Sequence, residues 1–227
     1  RFGWTATFLV YTFCFLVLGL FLLFVPYEKG EVHQHKQAKK EKMTAGQFRF
    51  TLLSALVAGV IVLSNTAINL RVPSLVLYHQ IGTAQTASLI LSGMQLIGIV
   101  AGVSFAPMVG IFKDRLLTII GICFGLSLIL IGLSSNIWLL AISALFAGFT
   151  YSITLTTVFH TVSEKIPPHL INQAVSITVL GCSGGASVTT FILSLIGHLS
   201  QAPLFIFSVL GVIMMVIAML SYNITKE

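Results

Sequence analysis

Charge is what this sequence has least of. Only 8% of its 227 residues are Asp, Glu, Lys or Arg, and the acidic ones number six. With 56% hydrophobic residues and a mean hydropathy of +1.01, the chain carries more apolar surface than a soluble domain of this size can bury, so its solvent is lipid. Cysteine is scarce as well. Cys14, Cys123 and Cys182 fall in three different apolar segments, a spacing that supports neither a disulfide framework nor a metal centre, so no metal or cofactor is expected. Carboxylates are missing from every long apolar run: Glu28, Glu31, Glu41, Asp114, Glu164 and Glu227 all lie in polar stretches. A Ser-His-Asp grouping or a carboxylate pair at membrane depth is thereby excluded, which argues against an enzyme.

What is there is a series of seven apolar segments, each long enough to cross a hydrocarbon core of ~30 Å. They are expected over residues 2–25, 48–70, 85–109, 116–133, 137–161, 170–197 and 203–222. The fold class is therefore all-α, a polytopic membrane protein. The first span is too long and too poorly flanked for a signal peptide. Residues 26–47 form a polar linker rich in lysine, suited to facing anionic lipid, and His33 and His35 read there as solvated loop residues. Arg1 is not a start methionine, and the chain reads as the C-terminal piece of something longer.

Positive charge is one-sided. Lys29, Lys36, Lys39, Lys40, Lys42, Arg49, Lys113, Arg115, Lys165 and Lys226 thread to the same face, which places the linker and the C-terminus in the cytoplasm of a multi-pass cell-membrane protein. That pattern makes nucleic acid unnecessary as a partner.

Polarity sorts the spans with a period of three. The first, fourth and seventh are nearly all apolar, whereas the second, third, fifth and sixth carry the amides and hydroxyls, which at membrane depth face a bundle interior or a wet cavity. Thr150, Thr154, Thr157 and Thr161 recur at helical spacing on one face, beside Tyr151. Asn172, Ser176, Ser183, Ser187, Thr190 and Ser194 make a second stripe, with Gly181 and Gly185 on the opposite face for close helix packing. Ser88, Ser92 and Gln95 make a third, with Gly98 and Gly102 as a further packing site, and Ser54, Asn65 and Asn69 align in the second span. Each hydroxyl could equally bond back to its own helix. Arg71 stands just before Pro73, which is expected to end the second span there. It reads either as a cation at a cavity mouth or as a side chain snorkelling to the interface.

Between the third and fourth spans lies Gly110-Ile111-Phe112-Lys113-Asp114-Arg115. Gly110 would let two helices approach, Asp114 could cap the next helix, and Arg115 is left for a neighbouring backbone or carboxylate. This loop resembles the G-x-x-x-D-R loop of the major facilitator superfamily, and Glu164-Lys165-Ile166-Pro167-Pro168 is similar to another loop of that family. The resemblance departs after the hinge, where Leu117, Thr118 and Ile119 stand in place of the usual glycine and basic residues.

The resemblance implies that residues 1–25 are the sixth helix of a preceding half, 26–47 the central cytoplasmic loop and 48–227 the C-terminal six-helix bundle. It implies a missing N-terminal six-helix half as partner, peripheral third helices, and alternating access around a mid-membrane site. Asn65, Asn69, Arg71, Gln95, Thr150, Tyr151, Thr154 and Thr157 are the candidate cavity residues for a small-molecule substrate, and Gly110, Asp114 and Arg115 the cytoplasmic gate. Proton-coupled export of small amphipathic compounds is the reading that few charges and the aromatics Phe146, Phe149, Tyr151 and Phe159 favour. The coupling ion would be H+, with its carboxylate in the missing half. His160 reads as the only buried titratable candidate here. A sugar or metabolite carrier stays open, as does a different class, a seven-span receptor.

Overall fold

The helix starts of this chain are fixed by small polar residues. Thr44 and Gln47 form a reciprocal capping box: the Gln47 amide donates to Thr44 Oγ1 at 3.4 Å, and the Thr44 amide donates to Gln47 Oε1 at 3.0 Å. Thr83 and Thr86 repeat the device one helix later, and Asn136 Oδ1 accepts from the Trp138 amide after that. The computed structural model describes residues 9–24, 43–199 and 202–226. Among these it contains seven helices: α1 (Leu9–Phe24), α2 (Ala45–Tyr78), α3 (Ala84–Phe112), α4 (Leu116–Gly132), α5 (Ile137–Lys165), α6 (Ile171–Leu199) and α7 (Pro203–Lys226). The chain divides into two units, Arg1–Lys42 and Met43–Glu227. In the first, α1 is apolar but for Tyr11 and Thr12 near its start, and the expected linker lies outside the described residues up to Lys42.

Five helices, α2, α3, α5, α6 and α7, are long and apolar enough to cross a membrane. At 17 residues α4 is shorter, although equally apolar. The boundaries differ most from expectation at both ends of α2 and at the ends of α5 and α7, the last of which runs on through the expected tail to Lys226. The second span does not stop at Leu70: α2 runs 34 residues to Tyr78 with Pro73 inside it, ~51 Å in all. Its start also absorbs Ala45, Gly46 and Gln47 from the expected linker, because Thr44 caps it. Likewise α5 continues through Ser163, Glu164 and Lys165, which were expected in a loop. It ends where Ile166, held extended at φ −102°, ψ 133°, precedes Pro167.

Burial of apolar surface gives helices in lipid no reason to associate, so close packing must. Glycine supplies it at three seams in the second unit. Between α2 and α6, a Cβ at Gly59 would sit 2.8 Å from the Gly181 carbonyl oxygen, and one at Gly185 would collide with the Gly59 backbone. Between α4 and α7, a Cβ at Gly125 would lie 2.7 Å from the Gly211 carbonyl, and one at Gly121 would lie 2.7 Å from the Ala218 methyl. Between α3 and α5, Gly148 packs on the Met94 backbone. Ile61, Ile68, Leu75, Phe124, Leu128, Ile131 and Phe207 fill the space the seams enclose. The outward faces of α4 and α7, Leu126, Leu130, Val212, Val216 and Met219 among them, are apolar as lipid requires.

Candidate functional site

The polar residues of this bundle divide into those it has absorbed and those it leaves open. The threonine stripe of α5 is absorbed. Thr150, Thr154 and Thr157 are 1%, 0% and 6% exposed. Their hydroxyls donate to the carbonyls of Phe146, Thr150 and Ile153 at 2.8, 2.6 and 2.7 Å. The same helical line carries buried Ser143 and Ala147, so it is a small-residue packing face. Tyr151 is half-buried with its ring 6.0 Å from that of Phe124 on α4. Asn65 is 8% exposed, and among the described residues its Oδ1 is buried without a hydrogen-bond partner, as is the neighbouring Ser64 Oγ. Asn69 is half-buried and donates from Nδ2 to the Asn65 carbonyl at 2.9 Å. That carbonyl lies one turn before the Asn69 carbonyl, which Pro73 cannot serve as a donor.

What stays open lies on α3 and α6. The fully buried residues of α3 are Ala87, Met94 and Ala101, seven apart, the centre line of a face that half-buried Ile90, Leu91, Phe105 and Met108 widen. Away from it run Ser88, Ser92, Gln95, Ile99, Gly102 and Ala106, all exposed at helical spacing. On α6 the whole expected stripe of Asn172, Ser176, Ser183, Ser187, Thr190 and Ser194 is exposed, while Gly181 and Gly185 face α2 as expected. Ser88, Ser176 and Ser187 bond to carbonyls of their own helices. Among the described residues, Gln95, Ser92, Ser183, Thr190 and Ser194 make no side-chain hydrogen bond.

Of the eight expected cavity residues, then, Gln95 is the one displayed in the open. Sequence reasoning passed over Thr156, exposed on α5, and Ser152, half-buried where Gly98 of α3 approaches its hydroxyl at 3.2 Å from a built Cβ. Their signal was weak: two isolated hydroxyls beside a longer threonine line. Gly102, expected to pack closely, has nothing within 4 Å among the described residues.

Arg71 is half-buried near the far end of α2, ~39 Å along the helix from Ala45. Because α2 continues past Pro73, its direction is fixed by the helix: it borders a cavity between α2, α6 and α7. At the other end of the bundle, α3 stops at Phe112 and a 3-10 turn, Lys113–Arg115, leads into α4. Lys113 sits at φ 45°, ψ −128°, a region natural to glycine and strained for lysine. Gly110 has nothing within 4 Å of a built Cβ, so the close approach expected there is not made among the described residues. Arg115 is exposed and makes no side-chain cap to α4, and the side chain of Asp114 lies outside the described residues. His160, expected to be buried, is 45% exposed and pairs at 3.8 Å with Glu164 one turn later, with Phe105 edge-on to its ring.

Long apolar helices joined at glycine seams, with apolar backs on α4 and α7 and polar faces open on α3 and α6, define a multi-pass membrane protein built to meet something polar inside the bilayer. A family model described as Major Facilitator Superfamily matches residues 1–187, and the chain belongs to that family of membrane transporters. Among curated proteins none matches it.

Proposed function

We propose that the chain is part of a secondary active transporter that works by alternating access, with the polar faces of α3 and α6 turned toward a second six-helix bundle and a cavity between the two. The observation that carries this reading is the open line of Ser88, Ser92 and Gln95 on α3 together with the serine stripe of α6, all exposed and, among the described residues, bonded to nothing beyond their own helices. The one-sided lysines and arginines support a cell membrane location with the linker and C-terminus cytoplasmic.

The substrate in this reading is a small amphipathic compound exported in exchange for protons. Leu96, Ile99 and Phe191, exposed on the helices that carry Gln95 and Ser187, and exposed Phe146 of α5 offer burial with few hydrogen bonds and no charge. The wholly hydroxyl and amide character of the α6 stripe favours, as a second reading, a sugar or metabolite carrier. The stretches that form the bundle contain carboxylates only at Asp114 and Glu164, at its loop end, and at the terminal Glu227, so the proton-coupling carboxylate belongs to the other half.

Proteoliposomes holding the intact protein test this with a panel of amphipathic amines and sugars under an imposed pH gradient. Gradient-driven flux of an amphipathic compound is expected, and Gln95→Ala should raise its KM about tenfold, the worth of one hydrogen bond of ~1.4 kcal/mol. Sugar flux in its place would select the second reading. Ligand-dependent structural change with no flux of any solute would point to a receptor.

A further inference from the structure

Three helices that the transport reading does not use together meet around a second site, which shares with the α6 stripe only its last residue, Ser194. At the end of the bundle away from Lys113–Arg115, α2, α6 and α7 enclose a cavity of about 420 Å³. Its polar lining is Arg71, Ser74, Tyr78, Ser194 and His198, over a floor that includes the fully buried Phe207. The guanidinium is poorly satisfied there: among the described residues, Arg71 Nη2 reaches only the Leu193 carbonyl, at 3.4 Å. No acid can complete it from the cavity walls, because residues 42–113 and 165–226, which supply them all, contain no aspartate or glutamate. A half-buried arginine normally has a carboxylate or phosphate partner, since a lone carbonyl leaves most of its five donors and its charge uncompensated.

We propose that this cavity binds a phosphate-bearing anion, and that the source is the headgroup of an anionic phospholipid. Depth argues for lipid: Arg71 stands ~39 Å along α2, beyond a hydrocarbon core of ~30 Å and level with the headgroups. Chemistry argues for phosphate: a planar fork takes two phosphate oxygens at once, and the hydroxyls of Ser74, Tyr78 and Ser194 and the His198 ring supply further donors. Apolar Leu70, Leu204 and Phe205 are exposed near the cavity, where acyl chains would lie.

The test uses the intact purified protein, with native mass spectrometry counting retained lipid and thermal melting as a second readout. Phosphatidylglycerol is compared with phosphatidylcholine and with inorganic phosphate. The wild type should retain phosphatidylglycerol in preference to phosphatidylcholine and melt at higher temperature with it. Arg71→Ala should weaken retention at least tenfold and abolish the melting shift, and Arg71→Lys should weaken it less, keeping the charge without the fork. Competition by millimolar inorganic phosphate would identify a site open to soluble anions as well; indifference to phosphate would fix the lipid as the source. Equal retention by wild type and Arg71→Ala, or no preference for the anionic lipid, overturns the proposal. Should Arg71→Ala not fold, Ser194→Ala and Tyr78→Phe stand in: each is expected to weaken retention severalfold, and unchanged retention in both counts equally against the site.

Discussion

Asn65 and Ser64 keep polar oxygens buried without partners, and in a lipid-immersed bundle such an orphan costs about 1–3 kcal/mol. Asn65→Leu is therefore expected to raise the melting temperature while lowering transport, the pattern of a site that gives up stability for function. A variant that melts lower and transports normally would show the amide to be structural. Thr154→Val should behave in the opposite way. Its hydroxyl serves its own helix, so flux should be unchanged and stability should move by less than about 1 kcal/mol. The threonine line shows where sequence reading of the site ran out. Periodicity groups residues on a face but is silent on whether that face meets a cavity or a neighbouring helix. The small residues Ser143 and Ala147 on the same line, read with it, would have favoured packing. The α6 stripe was legible because Gly181 and Gly185 marked the opposite face as the packed one, which left the serines nowhere to point but outward.

Among the helices, most boundaries were legible within a few residues, since a polar cap or a proline marks them. The exception is α2. Proline was read as a stop, yet a proline late in a helix removes one hydrogen bond and is carried when packing on both sides holds the helix together; buried Val72, Leu75 and Val76 do so here. The missed start has a plain chemical cause, the Thr44–Gln47 box. Thr44→Ala should cost about 0.5–2 kcal/mol and speed amide exchange in the first turn of α2 alone, leaving the α5 start at Asn136 unaffected. The seams give a sharper contrast. Gly185→Val forces a side chain into the Gly59 backbone and should destabilise by about 1–3 kcal/mol or more, whereas Gly184→Ala, with nothing within 4 Å, should be neutral. Melting temperatures of the two variants, one residue apart, check whether the α2–α6 contact is the one described.

For the molecule as a whole, the division between open polar faces and apolar backs makes a prediction about water. In a background without native cysteines, Ser92→Cys and Ser187→Cys should react with a water-soluble maleimide and be protected by substrate, while Leu130→Cys on α4 and Thr154→Cys inside the bundle should not react. Reaction at Leu130 with silence at Ser92 would invert the proposed facing of the bundle. The glycine seams bear on mechanics too. Where backbone lies on backbone there are no rotamers to exchange and little side-chain slack to take up strain, so α2 with α6, and α4 with α7, should each move as a single beam. Because α3 is held in the same way to α5 where Gly148 lies on the Met94 backbone, any bending that the protein undergoes would be concentrated in the far stretch of α3, around Pro107, beyond that seam.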